Sequence, residues 1–222
     1  MKTQLVFIPG LGADARLFHL QQKSFKKSIA PPWIIPQKDE TLTQYARRWS
    51  KNLQLKRGSV LVGVSFGGMV ALEMAKWVKP KAVLLVSSCR SPASVPLILR
   101  VAGSFPVWPH IGKILVKLLP FGRKWFLGAR TKIEQNLLAR MFLETPDSFL
   151  LWTVSAIRGW GGFKGGFANI HHIHGDNDHL IPIQNVRPDK VIKGGGHVIN
   201  LTHSKEINDF INEYLSRGGS GQ

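Results

Sequence analysis

Short apolar runs alternate with amphipathic stretches along most of the chain. Continuous apolar strands separated by helices predict a parallel sheet that is covered by helices on both faces. Helical spacing follows several of the runs, starting at Thr41 and at Phe66, and again over residues 202–215 near the end. The pattern predicts an α/β fold with about six strands, at residues 3–8, 33–35, 59–64, 81–86, 170–174 and 190–192.

Residues 89–168 interrupt this alternation. They are rich in Pro, Trp, Leu and Lys, and three segments have helical character, at residues 95–101, 111–119 and 133–142. We interpret them as a helical lid, inserted into a single domain that spans residues 1–222. The apolar side chains of the lid are expected to form its own core and an apolar substrate pocket. Residues 216–222 are rich in Gly and Ser and predict a flexible tail.

The net charge is unusually positive, because 30 Lys and Arg stand against 13 Asp and Glu to give +17. Residues 1–88 hold 14 basic and 4 acidic side chains, residues 89–168 hold 11 and 3, and residues 169–222 hold 5 and 6. The electrostatic field of such a positively charged protein attracts anionic ligands, acidic membrane surfaces or nucleic acid. No nucleic-acid-binding module is recognisable, so nucleic acid is not the expected partner. Basic side chains of the lid are candidates for contact with an anionic substrate group or a membrane surface. The ordinary alternative is that they form a solvated basic face. These side chains include Lys113, Lys117, Arg123 and Lys124.

Three features predict a cytoplasmic protein. The first apolar run ends at Pro9-Gly10 and is too short for a signal peptide. No apolar run is long enough to cross a bilayer. The single cysteine, Cys89, cannot form an internal disulfide and fits a reducing compartment as a core residue at a strand end.

Gly63-Val64-Ser65-Phe66-Gly67 stands where an apolar strand meets a helix, and it has the G-x-S-x-G spacing of a nucleophile elbow. The glycines allow a sharp turn that holds the Ser65 hydroxyl out at a helix N-terminus. Because serine is hardly ionised at neutral pH, it needs a base, and His197 on a Gly-rich loop can supply one. Asp178, in the segment after the strand at residues 170–174, would orient the imidazole, which gives the chain order Ser, Asp, His.

These segments, together with Ile8-Pro9-Gly10-Leu11-Gly12, resemble those of the α/β-hydrolase superfamily over nearly the whole chain. The resemblance implies that Asp178 is the acid, with Asp176 as the alternative. It also implies an oxyanion hole made by the backbone N–H groups of Leu11 and Phe66. The family's first two strands and the histidine that many members carry before Gly10 have no counterpart, which implies a differently shaped hole.

A second cluster of polar side chains surrounds the proposed acid. Alternation along a strand places His171 on the face opposite His172 and His174, so the three rings cannot easily converge on one ion. We therefore predict no metal and no cofactor. The other potential ligands nearby are Asp176, Asp178 and His179.

The leading hypothesis is a serine hydrolase that cleaves a small-molecule carboxylic ester or thioester with an apolar acyl part. Two alternatives stay open. One is a cofactor-free lyase or a peptidase on the same triad, because the superfamily contains several chemistries. The other is a non-catalytic basic protein that associates with membranes or nucleic acid, as the charge of +17 suggests. The sequence does not indicate an oligomeric state.

Overall fold

A parallel sheet forms the centre of the protein in a computed structural model that describes residues 3–102, 107–118, 120–165 and 169–216. Within those residues five strands lie side by side in chain order. Three of them are buried along their whole length, because helices cover both faces. The α/β class is thereby confirmed. The strands are β1 (Leu5–Ile8), β2 (Val60–Val64), β3 (Ala82–Val86), β4 (Ile170–Gly175) and β5 (Lys190–Ile192).

The strand predicted at residues 33–35 is wrong. Prolines on both sides of this segment remove ladder donors, and the backbone N–H and carbonyl of Ile34 bond to the hydroxyl of Tyr45 instead of to a strand. The position beside β1 is taken by Ile29, which forms an isolated parallel bridge with Val6. The described sheet accordingly has five strands, and the apolar residues around Ile34 join the core as a loop.

Helices cover the two faces of the sheet and bury its alternate residues in two apolar clusters. On one face lie α2 and α3, where Thr41 begins α2 as predicted with a reciprocal capping box to Gln44. The other face carries α1, α9 and α10. The helix predicted at residues 202–215 corresponds to α10, and the short α9 precedes it. The bounds are α1 (His19–Ser24), α2 (Leu42–Asn52) and α3 (Phe66–Val78), and after the insertion α9 (Ile199–Thr202) and α10 (Ser204–Ser216).

The segment between β3 and β4 consists mainly of helices. Its three predicted segments coincide with α4, α5 and α7, and two further helices are present. Residues 103–106, 119 and 166–168 of the insertion, the side chain of Arg123 and residues 217–222 of the predicted tail lie outside the described part of the chain. None of the described helices is long and apolar enough to cross a membrane. The bounds are α4 (Leu97–Ala102), α5 (Trp108–Leu118), α6 (Pro120–Leu127), α7 (Lys132–Glu144) and α8 (Asp147–Gly159).

Burial in the insertion differs from the prediction. Leu138, Met141, Phe149 and Leu150 are buried on α7 and α8. The expectation that the other apolar side chains form a core is wrong for α5, where Ile111, Ile114, Leu115 and Leu118 are about half exposed or more. These positions lie on the side of α5 away from its neighbours, so no packing partner among the described residues covers them. Cys89, by contrast, lies fully buried in the core at the end of β3, and burial raises the pKa of its thiol to about 12.

Candidate active site

Ser65 occupies a strained turn between β2 and α3. Its φ of 53° and ψ of −121° lie outside the regions that most L-residues adopt. Three hydrogen bonds hold this backbone: the N–H of Ser65 donates to the carbonyl of Val86 at 3.0 Å, and its carbonyl accepts from Gly68 N–H at 2.9 Å and from the hydroxyl of Ser88 at 2.7 Å. The surroundings therefore fix the serine in one position at the carboxyl edge of the sheet.

The glycines of the elbow are required by close backbone contacts. A Cβ atom on Gly67 would overlap the carbonyl oxygens of Ile8 and Pro9, and one on Gly63 would overlap the backbone of Gly67. Gly10, at the end of β1, faces the serine, since a Cβ there would lie 3.4 Å from the Cβ of Ser65. The loop after β1 and the elbow after β2 thus meet at the nucleophile.

Asp178 and His197 form a buried pair beyond β4 and β5. Oδ2 of Asp178 accepts from Nδ1 of His197 at 2.8 Å, and Oδ1 accepts from the N–H groups of Leu180 at 2.8 Å and Ile181 at 2.9 Å. Burial alone would raise the pKa of this carboxyl, but the charge of His197 and the hydrogen bonds outweigh it and hold the pKa well below 3.8. Asp178 is therefore ionised, and Nε2 of His197 is left as the ring atom that can accept a proton.

Asp176 contacts a different part of the loop. It is exposed, and its Oδ1 accepts from the backbone N–H of Gly194 at 2.6 Å. The structure thus brings Asp178 to the imidazole ring and Asp176 to the glycines that precede it. A Cβ atom on Gly175 would overlap the backbone of Gly195, so the end of β4 and the loop that carries His197 pack backbone against backbone.

Two further histidines extend the buried pair. Nε2 of His174 lies 3.2 Å from Oδ2 of Asp178 and 2.8 Å from the carbonyl oxygen of Ile181. Because both of these atoms only accept, Nε2 of His174 must carry a hydrogen. Nδ1 of His174 in turn lies 3.0 Å from Nε2 of His172, within hydrogen-bond distance. The contacts that link these two histidines to one another and to Asp178 are not predictable from the sequence, whose one signal is the His-x-His spacing that puts two rings on one face of β4.

His171 lies on the other face, as alternation predicts, and its ring stacks on Tyr214 at 3.9 Å. A metal site requires several ligand atoms that converge on one ion. Among the described residues no group of three His, Cys, Asp or Glu side chains has that arrangement. His172 and His174 instead lie within hydrogen-bond distance of one another, and His174 also contacts Asp178.

The backbone N–H groups of Leu11 and Phe66 stand on the two sides of this edge, after β1 and at the start of α3. Neither donates to an acceptor within the described residues. Phe66 begins a helix of 13 residues, where unpaired N–H groups and the helix dipole favour negative charge. The arrangement can therefore stabilise an oxyanion that develops at Ser65.

The family model of the alpha/beta hydrolases matches residues 5–210. The chain belongs to the alpha/beta hydrolase family. This match extends from β1 into α10, so every described strand and Ser65, Asp178 and His197 lie inside it. No curated protein matches the chain by sequence.

Solved structures of other alpha/beta hydrolases have the same fold at low sequence identity. An esterase from Thermogutta terrifontis, with malate bound, is 16% identical with a TM-score of 0.74, covering 98% of this chain and 90% of its own. A bromoperoxidase from Bacillus anthracis is 18% identical with a TM-score of 0.72, covering 97% and 92%. An enol-lactonase from Burkholderia xenovorans is 13% identical with a TM-score of 0.70, also covering 97% and 92%. At these identities the likeness concerns the fold.

The insertion of this hydrolase contacts each loop of the site. Phe142 of α7 fills the space beside Gly12, and Trp152 of α8 meets Phe66 edge-on with ring centroids 6.0 Å apart. The carbonyl of Leu127, at the end of α6, accepts from the N–H of Val198 at 3.0 Å, next to His197. The helices of the insertion therefore contact the loops that follow β1 and β5 and the first residue of α3.

Proposed function

We propose that this alpha/beta hydrolase is a serine hydrolase that cleaves a carboxylic ester or thioester through an acyl-enzyme. The observation that carries the proposal is the buried hydrogen bond between Asp178 and His197, at the same sheet edge as the strained elbow of Ser65. A buried carboxylate on Nδ1 selects the ring tautomer that leaves Nε2 free to act as a base. A structural ion pair alone would not require a serine at positive φ nearby.

The reaction would follow in two balanced steps. The Oγ atom of Ser65 attacks the carbonyl carbon while Nε2 of His197 takes its proton, and the N–H groups of Leu11 and Phe66 stabilise the oxyanion. The protonated imidazole then donates to the leaving alcohol or thiol, which departs and leaves an acyl-serine. Water attacks this ester with His197 again as the base, so the acid is released and Ser65 regains its proton.

Apolar side chains support a substrate with an apolar acyl part. Phe142 lies next to Gly12, which follows Leu11 in the chain, and Trp152 contacts the ring of Phe66, so each lies near one residue of the proposed oxyanion hole. We propose that residues 89–168 act as a lid, which excludes water from the acyl-enzyme and supplies the acyl site. Esterases and an enol-lactonase among the structural neighbours fit ester chemistry.

The test compares wild type, Ser65→Ala and the matched control Ser155→Ala, which makes the same change at an exposed position of α8. Each is assayed on p-nitrophenyl esters of increasing chain length and on acyl-coenzyme A thioesters, with circular dichroism to show that it is folded. We expect turnover by wild type and Ser155→Ala and its loss in Ser65→Ala. Equal turnover in Ser65→Ala would overturn the proposal, because the reaction would not need this serine. Absence of ester and thioester turnover by folded wild type would also overturn it, and would favour another reaction on this scaffold or a non-catalytic role.

A further inference from the structure

Helix α5 carries an apolar stripe that faces solvent. Ile111, Ile114, Leu115 and Leu118 follow the i, i+3, i+4, i+7 spacing of one helix face and are 48–70% exposed. A stripe of this kind is normally the buried side of a surface helix. Here α5 uses other positions to pack on α7 and α8, for example Gly112, which lies against Phe142. The positions of the stripe therefore differ from those through which α5 packs on its neighbours.

The next helix continues the exposed apolar area. Trp125 and Phe126 of α6, which packs on α5, are 46% and 48% exposed. We call these six side chains the α5–α6 apolar surface. Each of the six is between 46% and 70% exposed, and Trp125 is covered in part by His179. Contiguous exposed apolar areas on soluble proteins mark sites of interaction.

The charged side chains carried by α5 and α6 themselves have one sign. No Asp or Glu occurs between Glu73 and Glu134 in the sequence, whereas Lys and Arg recur throughout that interval. Lys117 on α5 and Lys124 on α6 are exposed. The surface thus combines apolar and aromatic side chains with cations and lacks carboxylates of its own.

We propose that the α5–α6 apolar surface docks the protein onto an anionic phospholipid bilayer. The apolar side chains of the stripe would insert among the lipid acyl chains at the membrane interface, and lipid phosphates would attract Lys117 and Lys124. A second copy of the chain fits less well, because a twofold interface would bring the same cations together without any acidic partner. With 11 residues, α5 is about 16 Å long, which suits a helix lying in the interface plane.

Docking would place the bilayer next to the proposed catalytic loops. The ring of Trp125 stacks on His179 with centroids 4.3 Å apart, and the carbonyl of Trp125 lies 2.9 Å from Nδ1 of the same residue. His179 directly follows Asp178 in the chain. The surface does not depend on the chemistry of Ser65, so membrane binding and turnover are separate properties.

The experiment is co-sedimentation of the protein with phosphatidylcholine vesicles, with or without phosphatidylglycerol. We expect binding to the anionic vesicles and a partition coefficient about 25-fold lower in Lys117→Gln/Lys124→Gln, since each basic side chain near the surface contributes about fivefold. Ile114→Ser/Leu118→Ser should also lose binding. The matched controls change exposed residues elsewhere, Lys51→Gln/Lys56→Gln for charge and Ile35→Ser for apolar area, and should bind as wild type does.

Three outcomes would overturn the proposal. One is absence of binding to anionic vesicles by folded wild type. Another is an equal loss of binding in the control variants, which would show that the overall positive charge acts without the surface. The third is a wild-type dimer in sedimentation velocity that Ile114→Ser/Leu118→Ser converts to a monomer, which would assign the surface to a second copy. Ser65→Ala should bind vesicles as wild type does, whatever its turnover.

Discussion

Nε2 of His174 lies 3.2 Å from Oδ2 of Asp178 in the fully buried interior of the protein. The same oxygen accepts from His197, and the other carboxylate oxygen accepts from two backbone N–H groups. Four donors therefore surround one carboxylate, which compensates for its removal from water. In the proposed mechanism this arrangement keeps Asp178 charged and fixed in orientation while His197 exchanges protons.

His174→Leu should lower kcat about tenfold and leave KM nearly unchanged. Loss of the donor leaves Asp178 less well oriented, and one buried hydrogen bond to a charged group is worth about 1–3 kcal/mol. His174→Gln keeps an N–H near the position of Nε2 and should restore most of the rate. The measurement is steady-state kinetics on the best ester, beside a thermal melt. Equal defects in the Leu and Gln variants would show that His174 acts only through packing.

Asp178→Asn should reduce kcat by about ten thousand-fold, because an amide at this position no longer enforces the productive tautomer or stabilises the imidazolium. Asp176→Asn is the matched control two residues earlier. Its amide oxygen can still accept from Gly194 N–H, so kcat should change by no more than about twofold. The reverse order of effects would assign the acid to Asp176.

Stability should fall as pH decreases below 6.5, in part because of His172. Burial and the neighbouring His174 and Arg90 lower the pKa of His172 from 6.5 to about 3. Between these values the unfolded chain binds a proton that the folded protein does not, so acid favours unfolding, by at most about 1.4 kcal/mol per pH unit from this residue. Asp178 acts in the same direction only below pH 3.8, because its folded pKa is depressed.

His172→Gln tests this assignment. The amide keeps a donor for Nδ1 of His174 but has no charge to gain, so the slope of unfolding free energy against pH should be shallower than in wild type. Urea unfolding from neutral pH down to about pH 4 measures both slopes. Parallel slopes would mean that His172 is not the group responsible.

Gly67→Ala should destabilise the protein by more than about 4 kcal/mol or prevent folding, since a Cβ there overlaps the backbone at the end of β1. Gly159→Ala is the matched change at the end of α8, where no atom lies within 4 Å of the added carbon. It should stabilise the protein by about 0.5–1 kcal/mol through reduced entropy of the unfolded chain. Chemical denaturation of both variants against wild type provides the comparison.

The strands and the chain order of Ser65, Asp178 and His197 were predictable from sequence, because each of these residues follows a strand of the parallel sheet. The loops that follow parallel strands lie at one edge of the sheet, so the pattern that predicts the sheet also predicts that the three residues share that edge. The error at residues 33–35 has a related cause. A short apolar run indicates burial, but it does not distinguish a strand from a buried loop.

Other features depended on tertiary structure. The contact of His174 with Asp178 requires the loop after β4 to fold back over the end of its own strand, and no local spacing specifies that return. The sequence likewise gives α5 an apolar stripe without showing whether a neighbour covers it. Sequence therefore determined the elements, their order and the residue types at the carboxyl edge, since these follow from local periodicity. Only the tertiary structure decided which side chains pair and which apolar face stays exposed, because those depend on how the loops turn and on how the elements pack against one another.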